Sequence, residues 1–196
     1  MFFLKSPKIF FVTGTDTGVG KTVATAALAT YFQQQRQVLG VVKPIQTGET
    51  SDLDFIRKTT GLKKSVFFNP IRLALPLAPQ QAAELEKQPH LEPAKLVRQI
   101  RDFAAGRDLT LVEGAGGLYV PIKKGYMMLD LIKDLRAEAI VVARTGLGTI
   151  NHTLLTVLAL QARHIPLKGI IYNSAFLPEQ ADFSWKLNPL VIQEYS

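Results

Sequence analysis

The segment Gly14-Thr15-Asp16-Thr17-Gly18-Val19-Gly20-Lys21-Thr22 joins the end of an apolar run to the start of an alanine-rich helical pattern. A glycine-bearing loop at a strand-to-helix junction turns successive backbone N–H groups toward one point, beside the positive end of a helix dipole. Lys21 adds a mobile cation for outer phosphates, and the Thr22 hydroxyl can ligate Mg²⁺. These types in this order suit a nucleoside triphosphate. The usual pattern places its first glycine five residues before the second; here that position is Thr15, and Gly14 lies one further back. The loop is therefore one residue longer than the standard form.

Three further side chains have the chemistry to complete such a site. Glu113 ends the apolar Thr110-Leu111-Val112 run, and three of the next four residues are glycine. A carboxylate at a strand tip beside a phosphate loop can bind Mg²⁺ opposite Thr22. Asp52 reads equally as a metal ligand or, with Ser51, as the cap of a helix beginning near Leu53, with Asp54 a nearby competitor. Lys43 follows an apolar strand and precedes a proline, a place where a second cation could meet developing negative charge. His152 reads as a helix-start residue rather than a catalyst. No Cys/His metal cluster, Ser-His-Asp triad or nucleophile elbow occurs.

The elements that must position these groups alternate. Apolar, β-branched runs at 9–12, 38–42, 109–112, 139–143 and 167–172 are separated by helical patterns. One such pattern puts Ile150, Leu154, Val157 and Leu158 on a common face; another does so with Leu96, Val97, Ile100 and Phe103. Strands alternating with helices predict an α/β fold with a parallel β-sheet and helices on both faces, like that of P-loop NTPases. Ligands of such sheets collect at the carboxyl ends of the strands. The residues after each run fit that rule: Lys43 to Gly48, Glu113 to Gly117, Arg144 to His152, and Asn173-Ser174. The proline-rich 70–93 stretch, which includes Pro89, reads as an excursion above the sheet.

Composition bounds the function. The 196 residues suit a single nucleotide-binding α/β domain, and 47% hydrophobic with 20% charged content is that of a globular chain. No run approaches the roughly 20 apolar residues of a membrane span. The opening Met1-Phe2-Phe3-Leu4 is interrupted by Lys5, Ser6, Pro7 and Lys8, so no signal peptide is expected. With no cysteine, a cytoplasmic location is expected and thiol chemistry is excluded. A net charge of +7 suits anionic small molecules; the Lys and Arg residues are scattered, which argues against nucleic acid as a partner.

Taken together, the phosphate loop with its extra residue, Lys43-Pro44 with Thr47-Gly48, the Pro76/Pro79 segment, Glu113-Gly114-Ala115-Gly116-Gly117 and Gly148-Thr149-Ile150-Asn151-His152 resemble the dethiobiotin synthetases. The resemblance runs from about residue 9 to residue 174. It implies an ATP-dependent enzyme of biotin synthesis that closes the ureido ring of dethiobiotin from 7,8-diaminononanoate and CO₂. It would proceed through a carbamate and a carbamic–phosphoric anhydride. It further implies that Gly18, Val19, Gly20, Lys21, Thr22 and Val23 hold the nucleotide, and that Thr22, Asp52 and Glu113 hold Mg²⁺. Lys43 would be the catalytic lysine, acting with Lys21 and Thr17. Thr17, Thr47 and Gly117 would lie near the substrate, and Asn151 near that of a neighbouring subunit in a homodimer. Gly114, Ala115 and Gly116 would line nucleotide and substrate, with Asn173 and Ser174 toward the adenine.

Two rivals share parts of this pattern. A cobyrinic acid diamide synthase-like amide ligase carries a similar loop but usually a glutaminase domain with a nucleophilic cysteine, absent here. A partition-type ATPase typically has a lysine early in the loop, where this chain has Thr15-Asp16-Thr17. The family's base-contacting Ile-Pro loop has no counterpart in the 183–196 tail, so the purine is expected to be held chiefly by Asn173 and by stacking or backbone groups, with phosphate and Mg²⁺ contacts carrying most of the affinity.

Overall fold

The computed structural model describes residues 8–88, 91–175 and 184–196. The apolar opening at residues 1–7, Pro89 and Phe183 lie outside them. In chain order the elements are β1 (Lys8–Gly14), α1 (Lys21–Gln34), β2 (Leu39–Val42), β3 (Ile45–Thr47), α2 (Asp52–Thr60), β4 (Phe67–Phe68), β5 (Ile71–Leu73), α3 (Pro79–Leu85), α4 (Pro93–Ala104), β6 (Leu109–Glu113), β7 (Pro121–Lys123), β8 (Tyr126–Met127), α5 (Met128–Leu135), β9 (Glu138–Arg144), α6 (Thr149–Ala162), β10 (Leu167–Asn173) and α7 (Ser184–Tyr195).

All five predicted runs are strands of one sheet, ordered β10-β9-β1-β6-β2-β4, and every pairing in it is parallel. The sixth strand, β4, was not expected. Two residues long at the sheet edge, it is too short to carry an alternating pattern. Both faces are covered, as the uninterrupted apolar runs require. Ile9, Phe11, Val42, Val112 and Val141 pack with α3 to α6 on one face. Phe10, Val41, Leu109, Leu111 and Ile140 alternate with them and meet α1 and α2 on the other. Each fully buried large side chain among them contributes about 1.5–3 kcal/mol.

Of the two predicted helical faces, that of α4 is buried through Leu96, Val97 and Ile100, with Phe103 stacked on Phe68. That of α6 differs: Val157 and Leu160 are buried with Thr149, Thr153 and Thr156, whereas Leu158 is exposed. Threonine is tolerated there because its hydroxyl is satisfied locally: Thr149 donates to the Arg144 carbonyl and Thr156 to that of His152. The proline-rich stretch supplies β5, which pairs with β3, and α3, so it is woven onto the sheet's upper edge. Among the described residues, no helix is long and apolar enough to cross a membrane.

Candidate active site

Because β1 lies between β6 and β9, the loop that leaves it is flanked by the tips of both neighbours. Val12 is in register with Glu113 on one side, and Gly14 with Val142 on the other. Thr15 N–H donates to the Val142 carbonyl at 3.0 Å, which ties the loop's first residue to β9. The loop ends at Gly20, a left-handed residue (φ 98°) that precedes α1 without offering a side-chain cap. The first amides of α1 are thus left for an anion, and no acidic residue sits in that first turn to compete. Lys21 folds back across the loop, its Nζ donating to the Asp16 carbonyl at 2.9 Å. It passes Gly14 closely: a Cβ there would lie 3.1 Å from Nζ and 2.7 Å from Val19. Burial, reinforced by Lys43, lowers the Lys21 ammonium to about 8. An arriving polyphosphate would relieve both costs.

Lys43, just past the tip of β2, is the node of the site. Its Nζ donates to Glu113 Oε1 at 3.0 Å and to the Gly114 carbonyl at 3.1 Å, and lies 2.5 Å from Asp52 Oδ2. Burial alone would push its pKa down. The Glu113 and Asp52 carboxylates outweigh that and hold it above the ordinary lysine value, so Lys43 stays a cation. Thr22 donates its hydroxyl to the same Glu113 oxygen at 3.0 Å. The cap reading of Asp52 does not hold in the folded chain. Ser51 is the N-cap of α2, accepting from Asp54 N–H at 3.2 Å, and Asp52 is the first helical residue. Gln46 accepts the Asp52 N–H at 3.1 Å. The Asp52 carboxylate is therefore free to face Lys43, while Asp54 turns to Arg57.

The donor set fits a hard cation. Glu113 Oε2 is buried without a hydrogen-bond partner, and Thr22 and Asp52 supply further oxygens nearby. Among the described residues no cluster of three or more His, Cys, Asp or Glu side chains could hold a metal alone. Mg²⁺ held there by one or two carboxylates would need substrate phosphates to complete its shell.

A cavity of about 520 Å³ opens over this cluster, lined by Thr17, Gly18, Gly20, Lys21, Thr22, Val23, Lys43, Thr47, Asp52, Glu113, Ala115 and Gly116 among others. Twelve residues singled out in the sequence therefore meet at one place. A second cavity of about 550 Å³ shares Thr17 and is bordered by Gly117, Tyr119 and His152. Gly114 contributes its carbonyl to Lys43, and Val19 is buried beneath the loop. Asn173 reaches the loop itself, donating to the Val19 carbonyl at 2.9 Å. Asn151 and Ser174 are exposed and line neither cavity. Gln46, within the Lys43 to Gly48 segment that follows β2, also lines the first cavity, whereas Phe55 there and Tyr119 in the second were not singled out in the sequence.

The AAA domain family matches residues 8–195 of the chain. The ATP-dependent dethiobiotin synthetase of Methanococcus vannielii is 40% identical over 166 residues, covering 84% of this chain and 78% of that protein. The ATP-dependent dethiobiotin synthetase of Thermodesulfovibrio yellowstonii is 38% identical over 201 residues, covering 94% and 83% respectively. Among solved structures, the kinase domain of the Escherichia coli tyrosine kinase ETK superposes with a TM-score of 0.56 at 18% identity, covering 91% of this chain and 71% of that one. That likeness speaks to the nucleotide-binding fold only. The identity to the synthetases over most of both chains places this chain in the ATP-dependent dethiobiotin synthetase family.

Proposed function

We propose that the chain closes the ureido ring of dethiobiotin from 7,8-diaminononanoate, CO₂ and ATP in the cytoplasm. The observation that carries this reading is the convergence of Lys21 and Lys43 on one cavity with the phosphate loop. One amine of the diamine adds to CO₂ and loses a proton, giving a carbamate. A carbamate oxygen attacks the γ-phosphorus of ATP and ADP leaves, giving a carbamic–phosphoric anhydride. The second amine attacks the carbamoyl carbon, phosphate departs, and that amine's proton passes to solvent.

Negative charge builds on the carbamate and phosphoryl oxygens in these steps. Lys21 with the loop amides stabilises it from the nucleotide side, and Lys43 from the opposite side. Lys43 acts as a fixed charge and not as a base, in keeping with its raised pKa. Thr22, Asp52 and Glu113 would hold Mg²⁺, which when bound supplies charge neutralisation to the phosphates. Thr17 and Thr47 orient the carbamate. The second cavity, continuous with Thr17 and bounded by Gly117, offers room for the substrate's carbon chain.

The reading includes a homodimer, in which Asn151 of α6 reaches the partner's substrate. Its support is an exposed apolar face: Leu147, Leu155 and Leu158 are 94%, 59% and 55% exposed. In this reading Asn173 and Ser174 face the adenine. The test is phosphate release from ATP with each substrate withheld in turn. Release that requires both 7,8-diaminononanoate and bicarbonate supports ring closure. Release that ignores the diamine would refute it in favour of an ATPase switch.

A further inference from the structure

We infer that Asn173 is a positioning residue of the phosphate loop, holding the Val19 carbonyl so that the Gly20 N–H faces the bound phosphates. The inference rests on the nucleotide-binding part of the reading above and adds a role that base contact does not require. Asn173 ends β10, and Val19 lies 154 positions earlier in the chain, yet Asn173 Nδ2 donates to the Val19 carbonyl at 2.9 Å. The other end of the same amide is also engaged, because Asn173 Oδ1 accepts the Ala175 N–H at 3.0 Å. One partner is an acceptor and the other a donor, so the two contacts agree on which way the amide points.

A trans peptide is planar, with its C=O and N–H pointing in opposite directions. Holding the Val19 carbonyl toward β10 therefore directs the Gly20 N–H away from β10, and Gly20 lines the first cavity. Gly20 needs this restraint. Its φ of 98° lies where the backbone of a glycine is permissive, and no side chain caps the helix it opens. The approach also excludes any other residue, since a Cβ at Gly20 would lie 2.2 Å from Asn173 Nδ2. The tip of β10 thus sets the geometry of an amide that meets phosphate, and the second N–H of the same Nδ2 is left for the base.

The test is a calorimetric comparison of inorganic triphosphate and ATP, each with Mg²⁺, on the unaltered chain and on Asn173→Ala. A residue that reads only the base cannot affect a ligand without one. We expect inorganic triphosphate to weaken roughly tenfold, equivalent to about 1.4 kcal/mol, and ATP by at least that factor. Unchanged triphosphate affinity with weakened ATP, or no change in either, would overturn the inference. If Asn173→Ala does not fold, Asn173→Ser takes its place: a hydroxyl can still accept from Ala175 N–H but is too short to reach Val19. Should the unaltered chain bind both ligands yet release no diamine-dependent phosphate, the ring-closure reading fails while this comparison still decides the role of Asn173.

Discussion

Lys43 and Glu113, 70 positions apart, meet at 3.0 Å with both side chains almost wholly buried, and the same Glu113 oxygen also accepts from Thr22. The contact joins the tip of β2 to that of β6 and leaves one carboxylate oxygen of Glu113 without a partner. An ion pair so placed is a poor device for stability, because desolvating two charges offsets most of their attraction. Its geometry is better explained by what it presents to the cavity: a fixed cation and an open carboxylate oxygen.

Lys43→Ala should raise the activation free energy of ring closure by about 3 kcal/mol, with ATP affinity changed much less. Single-turnover kinetics beside equilibrium ATP binding would separate the two. Removing one partner also strands the buried Glu113, so a fall of roughly 3 kcal/mol in unfolding free energy should accompany it. Near-normal turnover would take Lys43 off the catalytic list.

Glu113→Gln should raise the Mg²⁺ concentration needed for half-maximal rate, since an amide keeps the shape but loses the charge a hard cation prefers. Asp52→Asn should act in the same direction without weakening α2, because Ser51 and not Asp52 caps that helix. Mg²⁺ titrations of both variants, with thermal melts alongside, check this. Unchanged titrations would leave the two carboxylates as partners of Lys43 only.

Nucleotide affinity should fall as pH rises above about 8, where Lys21 loses its proton in the free protein. Binding above that pH should take up a proton, measurable as a buffer-dependent calorimetric enthalpy. The same shift has a sign for stability. The folded value lies below the unfolded 10.5, so the cost of the buried charge is fully present below pH 8 and recedes between 8 and 10.5. Lys21→Met should therefore stabilise the nucleotide-free chain at pH 7, by up to about 3 kcal/mol. A lower melting temperature for Lys21→Met at that pH would contradict the assignment.

Leu155→Asp and Leu158→Asp should shift a dimer toward monomer in sedimentation velocity at micromolar concentration, with little change in the protomer's melting temperature. Both side chains are exposed on α6 in the isolated chain, so a charge there costs little until a partner must be docked. A wild-type chain that sediments as a monomer would remove the dimer from the proposal.

Much of this was legible in the residues because the determining physics is local. Gly14 to Thr22 specify a loop whose own amides and helix terminus make the anion site, whatever lies around it. The five apolar runs are long enough to show that both of their faces are buried, which makes a parallel sheet the only economical arrangement. Other features depend on distant backbones coming together. β4 is two residues long and exists because β2 offers it an edge. The α6 pattern misled because the helix buries threonines whose hydroxyls are satisfied by nearby carbonyls and by one another, leaving Leu158 outside. Asp52 could be read as cap or ligand until the start of α2 showed that Ser51 takes the cap. That Lys43, Asp52, Glu113 and Thr22 form one cluster was decided by strand order, which places the tips of β2, β6 and β1 side by side. Local chemistry names the groups a chain possesses; only the sheet's register brings three charges and a hydroxyl from four segments within hydrogen-bond reach, where a low dielectric makes each depend on the others.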